Sequence, residues 1–243
     1  KLLTVIREEI QIIADKYGDD RRTKIGYDEF DMSAEDLIPD EDVVVAMTNL
    51  GYIKRMSSDN FKSQNRGGRG IIGMQTREED FVKDLFVCSS HDTLLFFTNK
   101  GKVYKAKGYQ IPEAGRQARG TAIVNLLEVA NGETVNAVIP VKAFDENTYL
   151  VMITKQGVIK KTDMTSFINI RKGGLNAVNL RENDELISVF VTDGTKNIFA
   201  GTHNGMGIRF DENDVRPMGR SATGVRAIKL KDDDYVVAAA AVD

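Results

Sequence analysis

The chain changes its hydrophobic rhythm once. In its opening stretch, KLLTVIREEIQIIADKYG, apolar side chains recur at Leu3, Ile6, Ile10, Ile13 and Tyr17. This alternating three- and four-residue spacing predicts one helix with a narrow apolar seam, suited to a coiled coil or to a single packing partner. A helix packed on its own domain would show the same spacing, so both readings stay open. The seam opens in mid-pattern with no N-cap residue, as expected of a segment that continues upstream. Gly18 falls where a left-handed C-cap is expected. After DDRRTKI comes an acidic stretch, Asp28 to Asp42, and beyond it no helical period of any length returns.

From Val43 onward the pattern is that of strands, and it repeats. VVVAMTNLGYIKR (43–55), LLFFTNKGKVYK (ending at Lys105), YLVMITKQGVIKK (ending at Lys161) and NIFAGTHNGMGIR (ending at Arg209) align. Each is an apolar β-rich run, then Thr-x-x-Gly, then a short alternating run that ends in a cation. The glycines are Gly51, Gly101, Gly157 and Gly205, spaced 50, 56 and 48 residues apart. A second glycine follows in every unit, at Gly70, Gly120, Gly174 and Gly224, always with apolar residues after it. The apolar run predicts a strand buried on both faces. Thr-x-x-Gly predicts a hairpin turn in which glycine takes positive φ and the threonine hydroxyl closes the loop. In the return strand Ile53 and Arg55 point to one side, so the cation belongs at the strand end, where its head reaches water. One such unit cannot bury its own face, but neighbours stacked around an axis can. A period near 50 residues with several strands per unit therefore predicts an all-β, propeller-like array of four-stranded units preceded by one α-helix.

Charge adds to this picture because it is segregated. The 243 residues carry a net charge of −3, which alone argues against a nucleic-acid partner. Yet residues 43–74, 93–127, 150–180 and 197–230 carry +4, +5, +4 and +2, so the acids lie elsewhere. Basic residues at equivalent places of a radial array form a ring, the footprint of a polyanion followed along its backbone. Charges that merely blunt strand edges would be mixed in sign. The candidate contacts are the strand-end cations Arg55, Lys105, Lys161 and Arg209, and the loop cations Arg116, Arg119, Arg171, Lys172 and Arg220. Aromatics are few in these loops, Tyr109 being one, and no helix is available to enter a groove. The expected contact is with duplex phosphates and is insensitive to sequence.

Other chemistry is excluded by context. Gly68, Gly70 and Gly73 spell GxGxxG, but a dinucleotide site needs a βαβ unit around it. His91 and His203 lack partners at ligand spacing. Asp232 to Asp234 read as a solvated turn before YVVAAAAV. Ser89, His91 and Asp92 are too close in sequence to imply a triad. The single cysteine, Cys88 in LFVCSS, reads as a small core residue and permits no disulfide within the chain. No apolar run reaches membrane-span length and no signal peptide opens the chain, so a reducing, cytoplasmic setting is expected.

Several stretches resemble a known family, the A subunits of bacterial DNA gyrase. IREEIQIIADKYGDDRRTKI is similar to the end of that family's coiled coil. EDVVVAMTNLGYIKR, REEDFVKDLFVCSSHD, YQIPEAGRQARG and SATGVRAIKL resemble successive blades of its C-terminal β-pinwheel. QNRGGRG resembles the gyrase A box, with Gln64, Arg66, Gly67, Gly68, Arg69 and Gly70 at matching positions. Arg69 stands where lysine is usual, and Asn65 stands where an arginine is usual, one charge fewer. The resemblance implies a boundary near residue 32, with 1–32 closing the breakage–reunion coiled coil and its linker and 33–243 forming the pinwheel. It implies six blades in the family, of which four repeats are visible here. It implies wrapping of duplex DNA for negative supercoiling. It also implies ATP hydrolysis by a B subunit, which joins this chain and its second copy in an A2B2 assembly in the nucleoid. No cofactor is expected in this chain, ATP and Mg belonging to the catalytic core and to the B subunit. Tyr17 does not match the family's catalytic tyrosine, so the chain itself is expected to be non-catalytic. The topoisomerase IV counterpart, a decatenating relative without a well-formed box, and a propeller that binds protein partners are the alternatives.

Overall fold

The computed structural model describes residues 2–19, 22–23, 35–61, 66, 73–231 and 233–243. The chain divides into two compact units, residues 1–37 and 38–243. In the first, α1 (Leu2–Tyr17) is a single helix with no buried side chain, so its apolar seam lies open from Leu3 to Tyr17. Gly18 ends it, its amide donating to Ala14 O at 2.7 Å. The expected left-handed cap is not formed, because Gly18 is absent from the positive-φ glycines. Glycine is needed there for room: a Cβ would collide with the Ala14 carbonyl oxygen.

The second unit is all strand and turn. In chain order its strands are β1 (Asp42–Thr48), β2 (Tyr52–Ser57), β3 (Val82–Ser89), β4 (Thr93–Thr98), β5 (Lys102–Lys107), β6 (Thr121–Ala122), β7 (Val135–Val141) and β8 (Tyr149–Thr154). They continue as β9 (Val158–Asp163), β10 (Leu175–Asn176), β11 (Leu186–Thr192), β12 (Asn197–Thr202), β13 (Gly207–Asp211), β14 (Val225–Arg226) and β15 (Val236–Val242). The apolar runs are β1, β4, β8 and β12, and the first three are buried on both faces as expected. In β12, Phe199 is exposed.

The four hairpins form as their sequence predicts. Gly51, Gly101, Gly157 and Gly205 have φ of +83°, +74°, +76° and +80°. Thr48, Thr98, Thr154 and Thr202 each accept, on Oγ1, the amide four residues ahead, at 3.2–3.3 Å. A further clamp has no counterpart in the sequence reading. Asp80, Asp184 and Asp234 accept the amides of Leu50, Gln156 and Asn204 in the hairpin turns, at 2.9–3.0 Å. Each follows a residue at positive φ, namely Glu79, Asn183 and Asp233. Part of the acidic charge between the basic segments is therefore structural.

The sheets are antiparallel and ordered β3-β1-β2-β6, β10-β5-β4-β7, β11-β8-β9-β14 and β13-β12-β15. Each repeat thus builds a hairpin and returns to flank its own first strand, and the second, third and fourth also send a two-residue strand to the preceding sheet on the way. Thr121–Ala122 pair with Tyr52–Ile53, Leu175–Asn176 with Lys102–Val103, and Val225–Arg226 with Val158–Ile159. The second glycine marks this crossing. Gly120, Gly174 and Gly224 have φ of +87°, +74° and +104°. A Cβ at Gly120 would strike the Ile53 carbonyl, one at Gly224 the Ile159 carbonyl, and one at Gly174 would sit 2.6 Å from the Tyr104 ring. The flanking strands β3, β7, β11 and β15 pack in sequence, and apolar cores fill the three spaces between consecutive sheets in propeller-like fashion. Cys88 lies in the first core, and burial, helped by Asp92 and Asp42, pushes its thiol up to about 11.

Three lysines are buried at these junctions. Lys54 Nζ donates to the carbonyls of Gly115, Arg116 and Ala118 at 3.0, 2.7 and 2.9 Å. Lys160 Nζ donates to Ala177 O at 2.6 Å and to Arg220 O. Lys161 is 2% exposed and pairs at 2.8 Å with Glu212, itself wholly buried. Although burial pushes the Glu212 carboxyl up, bonds donated by Lys161, Thr192 and the Lys196 amide outweigh it and hold it below its ordinary value. The Lys161 ammonium also lies 4.3 Å from the Tyr149 ring centroid. This corrects the expectation for Lys161: its head does not reach water, because the fourth repeat supplies a carboxylate that engages it inside the fold.

Two outcomes follow for stability. Gly205→Ala meets open space and suffers only its positive φ, about 1 kcal/mol, whereas Gly224→Ala adds a clash with the Ile159 carbonyl. Urea unfolding should show Gly224→Ala at least about twice as destabilising; equal losses would mean that the crossing does not require glycine. Burial and the nearby Arg220 guanidinium bring Lys160 down to about 8. Between there and its ordinary 10.5 the folded chain binds fewer protons than the unfolded chain, so stability rises with pH over that window. Thermal melts of Lys160→Met should lack this rise.

Candidate nucleic-acid interface

The second, third and fourth repeats each place an irregular segment between the end of the return strand and the second glycine. Its conformation is dictated by the crossing: the chain must pass over the preceding hairpin, so beyond an isolated bridge to that hairpin's return strand in the second and fourth repeats it has no ladder partner and needs other donors and acceptors. In the second repeat this segment is Ile111–Gly120. The Arg55 amide donates to Pro112 O, and the Ala114 amide donates to Arg55 O, both at 3.1 Å. Arg55 Nε adds a bond to Ile111 O at 2.8 Å. The Ala118 amide closes a turn on Gly115 O at 2.9 Å. Arg116 and Arg119 project from this turn into solvent, and the Arg119 guanidinium lies 5.6 Å from the Tyr52 ring centroid.

In the third repeat the segment carries Arg171 and Lys172, both exposed. Lys105 Nζ reaches across from the second repeat to donate to Ile168 O at 2.9 Å. In the fourth repeat the Ala222 amide closes a turn on Gly219 O at 3.0 Å, and Arg220 is exposed. Lys105, Arg171 and Arg220 line one open groove together with Asn169 and Gly174. A second groove shares Lys105 and Arg171 and adds Lys107, Lys172 and one acid, Glu128. Cations from three consecutive repeats are thus brought side by side along one edge.

The strand-end cations divide. Lys105 and Arg209 are exposed as expected, although Arg209 also donates to the Asp243 carbonyl at 2.7 Å. Arg55 is only 18% exposed and lies 3.7 and 3.6 Å from Glu41 and Glu113. Its charge is offset by acids and its Nε is used to hold a neighbouring segment, so it contributes to the fold more than to an open rim. Lys161 is withdrawn altogether. In the first repeat Arg66 is an exposed turn residue. Gln64, Gly67, Gly68, Arg69 and Gly70, and Asn65 with them, lie outside the described residues.

Two further cations are not among the candidates named from the sequence. Arg77 is exposed, with its guanidinium 5.2 Å from the same Tyr52 ring that Arg119 approaches. Lys107 lines the groove with Lys105, two residues along the same strand. Lys107 could have been found by alternation; Arg77 had no signal, since only the crossing of the next repeat brings Arg119 beside it. Among the described residues no cluster of three or more His, Cys, Asp or Glu is placed to hold a metal, and no helix is long and apolar enough to cross a membrane.

Comparison with known proteins agrees with the repeat. The family described as DNA gyrase C-terminal domain, beta-propeller, matches four times, at residues 42–89, 92–142, 148–193 and 196–243. The DNA gyrase A protein of Clostridium acetobutylicum is 54% identical over 93% of this chain, and that of Halalkalibacterium halodurans 53% over 94%. The chain spans 27% of the length of each of these relatives. Among solved structures, the C-terminal domain of DNA topoisomerase IV superposes with a TM-score of 0.72 at 30% identity, covering 85% of this chain and 62% of that one. A DNA gyrase A C-terminal domain superposes at 0.66 with 26% identity, covering 83% and 65%. The repeats matched by the family are the same four hairpin units built above, each with its own flanking strand, and the chain belongs to the DNA gyrase A C-terminal domain family.

Proposed function

We propose that this chain is the DNA-wrapping part of a gyrase A protein, binding duplex DNA along its basic loops so that the holoenzyme introduces negative supercoils. The observation that carries this is the juxtaposition of Lys105, Arg171 and Arg220, from three consecutive repeats, in one open groove. Cations spaced along a curved edge suit a polyanion followed phosphate by phosphate, and they carry no base-reading geometry. Bending a short duplex costs several kcal/mol, up to about 10. Counterion release at many phosphate contacts offsets that cost. A wrap of fixed hand then presents a segment of the same DNA to the cleavage gate. The gyrase A box, residues 64–70, would fasten the wrap, its glycines allowing close backbone approach and Arg66 and Arg69 supplying charge.

On this proposal the chain performs no cleavage, and it holds no cofactor of its own. A second copy of the gyrase A protein completes the A2B2 assembly. ATP and Mg act on the catalytic core and the B subunit, and the complex works in the cytoplasm on nucleoid DNA. One observation favours a second reading, the superposition on the topoisomerase IV domain, and it would make the chain part of a decatenating enzyme. The box text QNRGGRG and the gyrase names of the relatives favour the first.

The test uses the full-length gyrase A protein in complex with its B subunit. Arg66→Ala combined with Arg69→Ala should abolish negative supercoiling while relaxation and DNA cleavage persist. Arg171→Ala, Lys172→Ala and Arg220→Ala together should lower the slope of log affinity against log salt by about 2–3, as for that many lost phosphate contacts. Full supercoiling by the box variant would refute the box assignment. A wild-type holoenzyme that decatenates but never supercoils would establish the topoisomerase IV reading.

A further inference from the structure

Lys54 and Lys160 occupy the same place in two repeats, three residues after the hairpin glycines Gly51 and Gly157. Both are wholly buried, and both point their ammonium groups into the basic segment of the following repeat. The atom they share as acceptor is the same: the backbone carbonyl of the arginine in a Gly-Arg-x-Ala turn, Arg116 in one case and Arg220 in the other. That turn closes identically in both repeats, Ala118 N on Gly115 O and Ala222 N on Gly219 O. The carbonyl of each arginine is held from inside while its guanidinium lies in solvent.

The second repeat provides the contrast. Where the position holds Tyr104, the following segment reads INIRKGG and has no Gly-Arg-x-Ala turn. There the phenol donates to Glu133 at 3.0 Å, and the ring packs against Gly174. In the three repeats whose following segment lies within this sequence, lysine occurs where this turn occurs and tyrosine where the turn is replaced. The chemistry explains the pairing. Converging carbonyls, three at Lys54 and two at Lys160, need several donors from one direction, and an ammonium at the tip of a long stem is the side chain that supplies them. An arginine fork would spread its donors in a plane.

We infer that Lys54 and Lys160 are positioning residues for DNA contact: buried ammonium groups that hold the Gly-Arg-x-Ala turns so that Arg116, Arg119 and Arg220 face the duplex, an inference that rests on the DNA-binding role proposed above. Neither lysine touches phosphate. Each acts through a loop that another repeat builds, so the conformation of each basic turn depends on the repeat before it.

The experiment compares Lys54→Met, Arg116→Ala/Arg119→Ala and their combination in the full-length protein, with linear duplex DNA titrated against salt. Hydrogen exchange on the DNA-free protein reports the loop directly. Lys54→Met should raise exchange of amides 113–121 and leave 217–224 protected, and Lys160→Met should do the reverse. Lys54→Met should also flatten the salt slope by about 1–2, the share of two phosphate contacts, although its charge is buried. Combined with Arg116→Ala/Arg119→Ala it should cause no further loss. Full affinity in Lys54→Met, or losses that simply add, would overturn the positioning role. If Arg116→Ala/Arg119→Ala itself leaves affinity unchanged, the DNA-binding role fails at this loop, while the exchange data still decide whether Lys54 holds the turn. Lys54→Gln keeps two N–H donors on a shorter stem and serves if Lys54→Met does not fold. It must loosen the same loop, and wild-type protection there would also overturn the inference.

Discussion

The crossing at the second glycine is the constraint on which the rest of the unit depends. A return strand such as Tyr52–Ser57 would otherwise expose an edge of unpaired amides and carbonyls. The next repeat covers that edge with two residues, and the chain reaches it by passing over the preceding hairpin at Gly120, Gly174 or Gly224. No residue with a Cβ can sit there without striking the strand beneath. Because the approach to the crossing is irregular and runs along the edge of the array, it is where polar and charged residues must lie. The site is in this sense a by-product of how the sheets are completed.

The same constraint sorts the cations. Backbone groups stranded in the irregular segments need partners, and lysine stems reach them from below: Lys54, Lys160 and, from a more exposed position, Lys105. Arginines on those segments are left facing water. The ring of positive charge read from composition is therefore two populations, one internal and one external. Burying an ammonium is costly unless its donors are satisfied, which is why each buried lysine has either converging carbonyls or, at Lys161, the carboxylate of Glu212.

The hairpins and the period are legible in the sequence because glycine at positive φ and the threonine hydroxyl act within five residues. The buried strands are legible because their apolar runs are unbroken. The exchange of strands between repeats is not, since Thr121–Ala122 look like any short apolar run and nothing local says which sheet they join. For the same reason alternation assigns Arg55 and Lys161 to the outside: it gives the side of the strand but not what the next repeat places against it. Glu113 and Glu212 come from that repeat. Asp234 reads from sequence as part of a solvated turn, whereas it, Asp80 and Asp184 close hairpins about thirty residues away in the chain.

On the proposed role, the way these loops are held bears on how a duplex could be bent at all. Counterion release rewards each phosphate contact, but an arginine on a mobile loop gives part of that gain back in lost side-chain and loop freedom on binding. Bending adds a cost that grows with the length wrapped. An edge whose turns are fixed before DNA arrives avoids the ordering cost at every contact, and it also fixes the direction in which the contacts curve. Turns held through neighbouring repeats inherit their spacing from the sheets themselves. The path offered to the duplex is then set by the packing of the apolar cores, and a wrap of constant hand requires a path that the DNA cannot itself choose.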